Sequence, residues 1–459
     1  MIHRYQKKGL NFVLDVNSGA VHLLDDISYA VSGLLDENMG DTCPQSIIDA
    51  LPDYTADEIR EAYDELYELK KAGQLFAQDD YIDVSRYIPV NAPVKALCLH
   101  VAHDCNLRCQ YCFASTGDFG QGRKIMPPEI AKKAIDFVIA RSGVRHNIEV
   151  DFFGGEPLMA WDTVTQTVDY ARSLEEKYNK KFRFTITTNG LLLDEDKRKY
   201  INENMDNCVL SLDGRREVND EFRKTVASTG SYDVIVPKFK ALVDERDPNL
   251  DYYARGTFTS HNLDFAEDVL SIADAGFDRL SVEPVTADPG CGYDLTEDDL
   301  PKIEAEYDRL TDIMLERKKQ GKPFTFFHFM VDLDQGPCVV KRLRGCGAGY
   351  EYVAVTPDGD IYPCHQFVGK DEFKQGSVLD QSFNMDIAQK FAGMNIYSRP
   401  KCQKCWAKFY CSGGCSAANY NMNHDMNDSY DLGCEMERKR LECAIYLKAM
   451  DKICANQSK

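Results

Sequence analysis

Two groups of cysteines hold most of the chemistry this sequence can do. Cys105, Cys109 and Cys112 stand as C-x3-C-x2-C on one short stretch. Three thiolates so close together can hold three irons of a [4Fe–4S] cube, leaving the fourth iron open to another ligand. A zinc site or buried thiols are the alternatives, but structural zinc takes four ligands, commonly from C-x2-C pairs, and no fourth partner lies nearby. In the second group, Cys346, Gly359 and Cys364 read C-x12-G-x4-C. Cys402, Cys405, Cys411, Cys415 and Cys434 then read C-x2-C-x5-C-x3-C-x18-C. The C-x5-C-x3-C stretch does not pair as zinc-ribbon ligands do. Cys338 stands just before this group. Cys43, Cys98, Cys208, Cys291, Cys443 and Cys454 have no partner spacing and read as small core residues.

The rest of the chain must position these thiols. Its 459 residues exceed one ordinary domain. A hydrophobic share of 44% supplies a core, and a net charge of −20 spread along the chain argues against a nucleic-acid face. The start, MIHRYQKKGLNFVLDV, lacks a signal-peptide layout, and no stretch reaches the roughly 18 apolar residues of a membrane span. A cytoplasmic protein is expected, with no membrane partner. There, seventeen cysteines read as reduced thiols for metal rather than as a disulfide framework.

Three regions follow one another. Phe12 to Leu24 reads as two short strands around Asn17-Ser18-Gly19. Helical patterns follow at Pro44 to Leu51 and Thr55 to Gly73, and Pro89 and Pro93 mark a linker. This front part, residues 1–90, looks like a small winged-helix module. From residue 91 to 300, β-rich runs at Ala96–Val101, Ile148–Phe153, Phe182–Thr187, Cys208–Leu212, Tyr252–Thr259 and Arg279–Glu283 alternate with helices such as Pro128–Arg141 and Leu263–Gly276. Six strand–helix units predict an α/β fold with a parallel sheet, a partial (β/α)6 barrel, whose site sits at the C-terminal strand ends. Residues 301–345 bridge, with a charged helix from about Thr296 to Gln320, to a cysteine-rich region over 346–459.

Cys105-Asn-Leu-Arg-Cys109-Gln-Tyr111-Cys112 directly follows the first strand. With an aromatic at Tyr111, it resembles the signature of the radical S-adenosylmethionine (SAM) superfamily. Gly154-Gly155-Glu156-Pro157 after the second strand resembles the segment that binds the SAM methionine amine. Thr188 and Asn189 end the third strand, and Ser211-Leu-Asp213-Gly ends the fourth. Ser211 and Arg223, twelve residues on, resemble the pair that holds the SAM carboxylate, for which an arginine fork is well shaped. The second cysteine group resembles the SPASM domain, the two-cluster extension of radical SAM peptide maturases. That resemblance implies an outer cluster on Cys402, Cys405, Cys411 and Cys434, and an inner one on Cys346, Cys364 and Cys415. The inner set is one ligand short; either Cys338 completes it or the site stays open to a peptide cysteine. Sulfatase-maturing relatives carry an aspartate base after the cysteine matching Cys364. Here that residue is His365, either a base or a polar neighbour of the cluster, and Asp213 is a further candidate for the pocket.

Front module, barrel and SPASM tail together resemble the maturases of six-cysteine (SCIFF) peptides, which form thioethers. The resemblance implies three [4Fe–4S] clusters, SAM, and a ribosomally made cysteine-rich precursor peptide whose leader binds residues 1–90. It also implies a reductant such as flavodoxin or ferredoxin. The product would carry crosslinks between cysteine thiols and acceptor-residue carbons. Other readings on the same scaffold are carbon–carbon crosslinking, epimerisation, decarboxylation or sulfatase-type maturation. A non-catalytic iron–sulfur carrier or a zinc module stands outside it.

Overall fold

The computed structural model describes residues 1–83, 92–333 and 339–457. Its contacts divide the chain into two compact units: Met1–Tyr87 with Phe329–Gly345 and Met394–Lys459, and Ile88–His328 with Cys346–Gly393. Cys338 lies outside the described residues.

In the first unit, β1 (Ile2–Lys7), β2 (Leu10–Asp15) and β3 (Val21–Leu24) form an antiparallel sheet in that order. The expected hairpin is β2–β3. It gains a third strand because β1 pairs with β2 from Ile2↔Asp15 to Lys7↔Leu10. The helix expected from Thr55 runs over Ala56–Lys71, capped by a reciprocal Thr55–Glu58 capping box. It buries Ile59, Ala62, Tyr63 and Leu66 against Val13, Val31 and Leu75. The sheet's other contacts reach the chain's end. His3 stacks on Trp406 at 3.8 Å and contacts Glu442 at 2.9 Å, while Phe12 meets Tyr446 edge-on at 6.3 Å. Glu442 and Tyr446 sit on the long helix Asp431–Gln457. The front segment is therefore half of a unit whose other half is the cysteine-rich tail.

The second unit carries one mixed sheet. Strands β4 (Ala96–His103) and β5 (Leu107–Cys109) bracket the start of the cysteine loop, and β6 (Lys124–Ile125) pairs with β4. The following strands are β7 (Asn147–Gly154), β8 (Lys181–Thr188), β9 (Asn207–Ser211), β10 (Arg223–Thr225), β11 (Asp251–Phe258), β12 (Arg279–Pro284) and β13 (Thr325–Phe326). Neighbours run β4-β7-β8-β9-β11-β12-β13, all parallel, with β5 and β10 forming a separate pair. The six expected strands are all present in sequential order, as a partial barrel requires. Helices Pro128–Arg141, Trp161–Tyr178, Tyr232–Asp244 and Phe265–Asp274 lie between them in the chain. Alternate strand residues such as Phe152, Phe184, Ile186 and Leu210 are fully buried.

The chain then returns to this sheet. β14 (Tyr352–Val355) pairs in parallel with β4, and β15 (Asp360–Tyr362), β16 (Gly376–Ser377) and β17 (Ser382–Phe383) continue it antiparallel. Residues 346–393, grouped by sequence with the tail, thus pack with the barrel strands. The reason is the register Tyr352↔Ala96 to Val355↔Leu99, a long-range pairing that local periodicity cannot disclose. Among the described residues no helix is long and apolar enough to cross a membrane.

Candidate active site and cluster cavities

A cavity of the barrel unit, about 240 Å³, opens at the C-terminal ends of its strands. Cys105, Cys109, Cys112, Tyr111, Gly154, Gly155, Glu156, Thr188, Asn189, Ser211, Arg223 and His365 all line it. The three thiols share that wall because two close approaches fix their loop. β5 pairs antiparallel with β10, setting Cys109 opposite Arg223. The Gly154–Gly155 turn packs directly beneath the loop: the Gly155 amide donates to Ala102 O at 2.7 Å and the Glu156 amide to Asp104 O at 2.9 Å. A Cβ at Gly155 would stand 2.1 Å from Asp104 O, and one at Gly154 2.2 Å from Ala102 O. Both positions need glycine for closeness, and Gly154 also for its φ of 131°.

Burial pushes the Cys105 thiol up to about 12 and Cys109 up to about 11, and raises Cys112 as well. These thiols hold their protons until a metal displaces them. Leu107 N and Asn189 Nδ2 lie 3.4 and 3.6 Å from Cys105 Sγ, as donors to a thiolate. Glu156 is buried and its side chain ties the end of β8 to the turn after β7. Its Oε1 accepts from Thr188 Oγ1 at 2.7 Å and Leu158 N at 3.1 Å, and its Oε2 from Asn189 N at 2.8 Å. Burial raises its pKa despite these bonds.

Arg223 is 8% exposed. Its Nη1 donates to Tyr111 Oη at 2.8 Å, Tyr111 Oη donates to Asp213 Oδ2 at 2.6 Å, and Asp213 Oδ1 lies 3.8 Å from Nη1. The buried Nε has no hydrogen-bond partner among the described residues. An orphaned guanidinium N–H on a cavity wall is the donor that a bound carboxylate would satisfy. The residues present therefore fit SAM's carboxylate beside the cysteine loop. Asp213, fully buried, is not on the lining. It stands behind Tyr111 and also accepts from Thr257 N at 3.2 Å. The structure gives it the place of an anchor for Tyr111 and Arg223 rather than that of a group exposed to substrate.

His365 opens a short 3-10 turn, packed against Phe153 at 5.0 Å and Phe113 at 5.4 Å. Its Nδ1 lies 3.4 Å from Tyr352 Oη, leaving Nε2 for other partners. Burial, reinforced by the Arg255 charge, brings its pKa down to about 4, so the ring is neutral near pH 7. Sequence reasoning did not single out Arg255 and Glu283, which pair at 2.5 Å on the cavity wall. Their one signal is position, in the C-terminal halves of the fifth and sixth barrel strands.

The first unit has a second cavity, lined by Cys402, Cys405, Cys411 and Cys434 with Lys408, Arg438 and Glu437. These are the four cysteines expected to share the outer cluster. Burial pushes Cys411 up strongly and Cys434 to about 11. Cys402 Sγ contacts Ser429 Oγ at 3.4 Å. Of the inner set, Cys346 and Cys364 belong to the barrel unit and Cys415 to the first unit. Among the described residues no three cysteine, histidine or carboxylate groups converge on a single-ion site; the thiols line open cavities instead.

Comparison with known proteins agrees with this geometry. Residues 99–248 match the radical SAM superfamily and residues 346–406 the SPASM iron–sulfur cluster-binding domain. A cysteine-type anaerobic sulfatase-maturating enzyme of Clostridium novyi is 25% identical over 354 residues, 72% of this chain and 90% of that protein. The mycofactocin maturase MftC of Mycolicibacterium smegmatis is 26% identical over 337 residues, 72% of this chain and 80% of its own length. Among solved structures, the anaerobic sulfatase-maturating enzyme anSMEcpe with bound AdoMet superposes with a TM-score of 0.63, 20% identity, over 78% of this chain and 99% of that one. Streptococcus suis SuiB bound to S-adenosylmethionine gives 0.53 and 18%, over 94% and 98%; these two show the fold. The chain carries a radical SAM domain and a SPASM domain, and its cofactors are SAM and multiple [4Fe–4S] clusters.

Proposed function

We propose that this enzyme installs thioether crosslinks between cysteine thiols and acceptor-residue carbons of a ribosomally made, cysteine-rich precursor peptide, as the SCIFF maturases do. The observation that carries the reading is the composition of the barrel cavity. It sets a cysteine loop and an unsatisfied arginine N–H beside a neutral histidine, where sulfatase maturases carry an aspartate. A solved structure of SuiB holds its precursor peptide SuiA, and a peptide substrate for this chain accords with that likeness.

When bound, SAM and the first cluster supply a hydrogen-abstracting radical, and an auxiliary cluster takes up the surplus electron. The chain's residues do the rest. Cys105, Cys109 and Cys112 hold the first cluster. Arg223, kept in place by Tyr111 and Asp213, receives the SAM carboxylate, and Ser211 stands beside it on the wall. Gly154, Gly155 and Glu156, with Thr188 and Asn189, shape the amine end. His365 Nε2 takes the proton of the donor thiol. Per crosslink the peptide loses two hydrogens, one as an atom and one as this proton with its electron. Phe113, Phe153 and the strand-end side chains keep water from the acceptor carbon, which must lie close to the abstracting carbon. Cys402, Cys405, Cys411 and Cys434 hold the outer cluster. The winged-helix-like front module takes the leader peptide along its sheet edge, and a flavodoxin or ferredoxin supplies electrons.

The test is anaerobic incubation of the loaded enzyme, SAM and reductant with a cysteine-rich peptide encoded beside its gene. The expected product lacks two hydrogens and one alkylatable thiol per crosslink. A product lighter by two hydrogens with all thiols intact indicates carbon–carbon crosslinking. Conversion of a sulfatase-derived cysteine peptide, with no change to the cysteine-rich peptide, indicates sulfatase-type maturation.

A further inference from the structure

We propose that the front segment sets the reduction potential of the outer cluster through an ion pair between Asp79 and Lys408; this rests on reading the cavity of Cys402, Cys405, Cys411 and Cys434 as a cluster site.

Lys408 lines that cavity, midway along the C-x5-C stretch between Cys405 and Cys411. Its side chain is 4% exposed. An ammonium so deeply buried is costly unless paired. Its partner comes from far away in the sequence: Nζ donates to Asp79 Oδ2 at 2.7 Å. The ammonium also stands 5.0 Å over the Phe409 ring and 5.4 Å over the Tyr397 ring. Tyr397 Oη donates to the other oxygen of Asp79. Burial works against the charged carboxyl, yet the bonds from Lys408 and Tyr397 hold it below the usual carboxylate range.

Asp79 is not a loose surface group. Two bonds secure the segment that carries it to β2 and the residues after it: Ala77 N donates to Asp15 Oδ2 at 3.2 Å, and Asn17 Nδ2 donates to Ala77 O at 2.8 Å. Two residues past Asp79, Tyr81 meets Phe409 edge-on at 5.2 Å. Val16 shares a buried cluster with Phe409, Ile396 and the thiol residue Cys402. The front sheet and the loop carrying three of the four outer thiols are thus packed as one body.

The electrostatic consequence follows from Coulomb's law in a medium far less polar than water. Adding an electron to a cluster is favoured by a nearby cation and opposed by a nearby anion, and cluster potentials respond to such charge. Lys408 favours the reduced state, and Asp79 partly cancels that effect. Removing either partner must therefore shift the potential, and the two shifts must have opposite signs.

The experiment is a reductive titration of the full-length chain followed by EPR, with the first cluster removed by Cys105→Ala/Cys109→Ala/Cys112→Ala so that only auxiliary signals remain. Lys408→Met is expected to move the outer cluster to a more negative potential and Asp79→Asn to a more positive one. The double variant should fall between them, and Lys408→Arg should stay near the parent. Unchanged potentials, or shifts of the same sign, in variants with full iron and sulfide would overturn the proposal. Should Lys408→Met fail to load its outer cluster, Asp79→Asn against Lys408→Arg decides: an upward shift confined to Asp79→Asn supports the proposal, and none overturns it. Failure of the cluster reading is distinct, because the parent chain itself would then lack outer-cluster iron.

Discussion

Arg223 and Cys109 are register partners in a two-stranded antiparallel pair. The strand that brings the middle thiol of the first group to the cavity is the strand whose partner brings the guanidinium. One local pairing therefore sets the distance between the expected cluster and the expected carboxylate site. Gln110 N donating to Phe222 O at 3.1 Å extends it.

Arg223→Lys keeps the charge but loses the fork and the orphaned Nε. A hydrogen bond to a charged group is worth about 1.5–3 kcal/mol, so SAM affinity of the loaded enzyme should fall by about 10- to 100-fold. Equilibrium binding with parallel iron analysis checks this. Unchanged affinity at full iron would reduce Arg223 to a partner of Asp213. Asp213→Asn should weaken SAM binding in the same direction by freeing Tyr111, without removing any group from the cavity lining.

Gly155→Ala places a methyl group against Asp104 O, where 2.1 Å is available. Overpacking of this kind costs about 1–3 kcal/mol, here in the turn under the cysteine loop. The variant should lose first-cluster iron while keeping auxiliary iron. A variant with full iron and normal SAM cleavage would show that the loop tolerates the shift.

His365→Asn removes the neutral base but keeps a polar side chain. General bases contribute about 100- to 10,000-fold, so crosslinking should fall within that range while 5′-deoxyadenosine formation continues. Product mass and nucleoside release, measured together, separate the two. Equal loss of both would make His365 a packing residue between Phe113 and Phe153.

Deleting residues 1–87 strips β1 and β2 from the terminal helix, removing the His3–Trp406 and Phe12–Tyr446 contacts. The outer cluster should be lost with the module, while the barrel's first cluster remains. Iron analysis of the truncated chain checks this. Retention of all auxiliary iron would show that the tail folds without its front partner.

Much of this arrangement was legible in the sequence. The six barrel strands lie within two residues of their expected ends, because alternating burial and β-branched runs are local signals. The cysteine loop and the Gly154–Gly155 turn fall on one cavity because each lies at a strand end, and Arg223 reaches it as the first residue of β10, paired with Cys109. Pairings across hundreds of residues were not legible. β14 joins β4, and Asp79 joins Lys408, through contacts with no trace in local periodicity. Arg255 and Glu283 look like ordinary surface charges until the strand ends converge. Asp213, a further candidate for the pocket, lies two residues past the end of β9 and is buried behind Tyr111, a placement set by its bonds to Tyr111 and Thr257 that local pattern does not show.

The most direct test of the account is iron, acid-labile sulfide and zinc measured on the full-length protein after anaerobic reconstitution. Three [4Fe–4S] clusters require about twelve irons and twelve sulfides per chain, falling to about eight of each in Cys105→Ala/Cys109→Ala/Cys112→Ala, which should also lose SAM cleavage. About four irons in the parent would mean that the tail cysteines hold no clusters, and abundant zinc without sulfide would contradict the account as a whole.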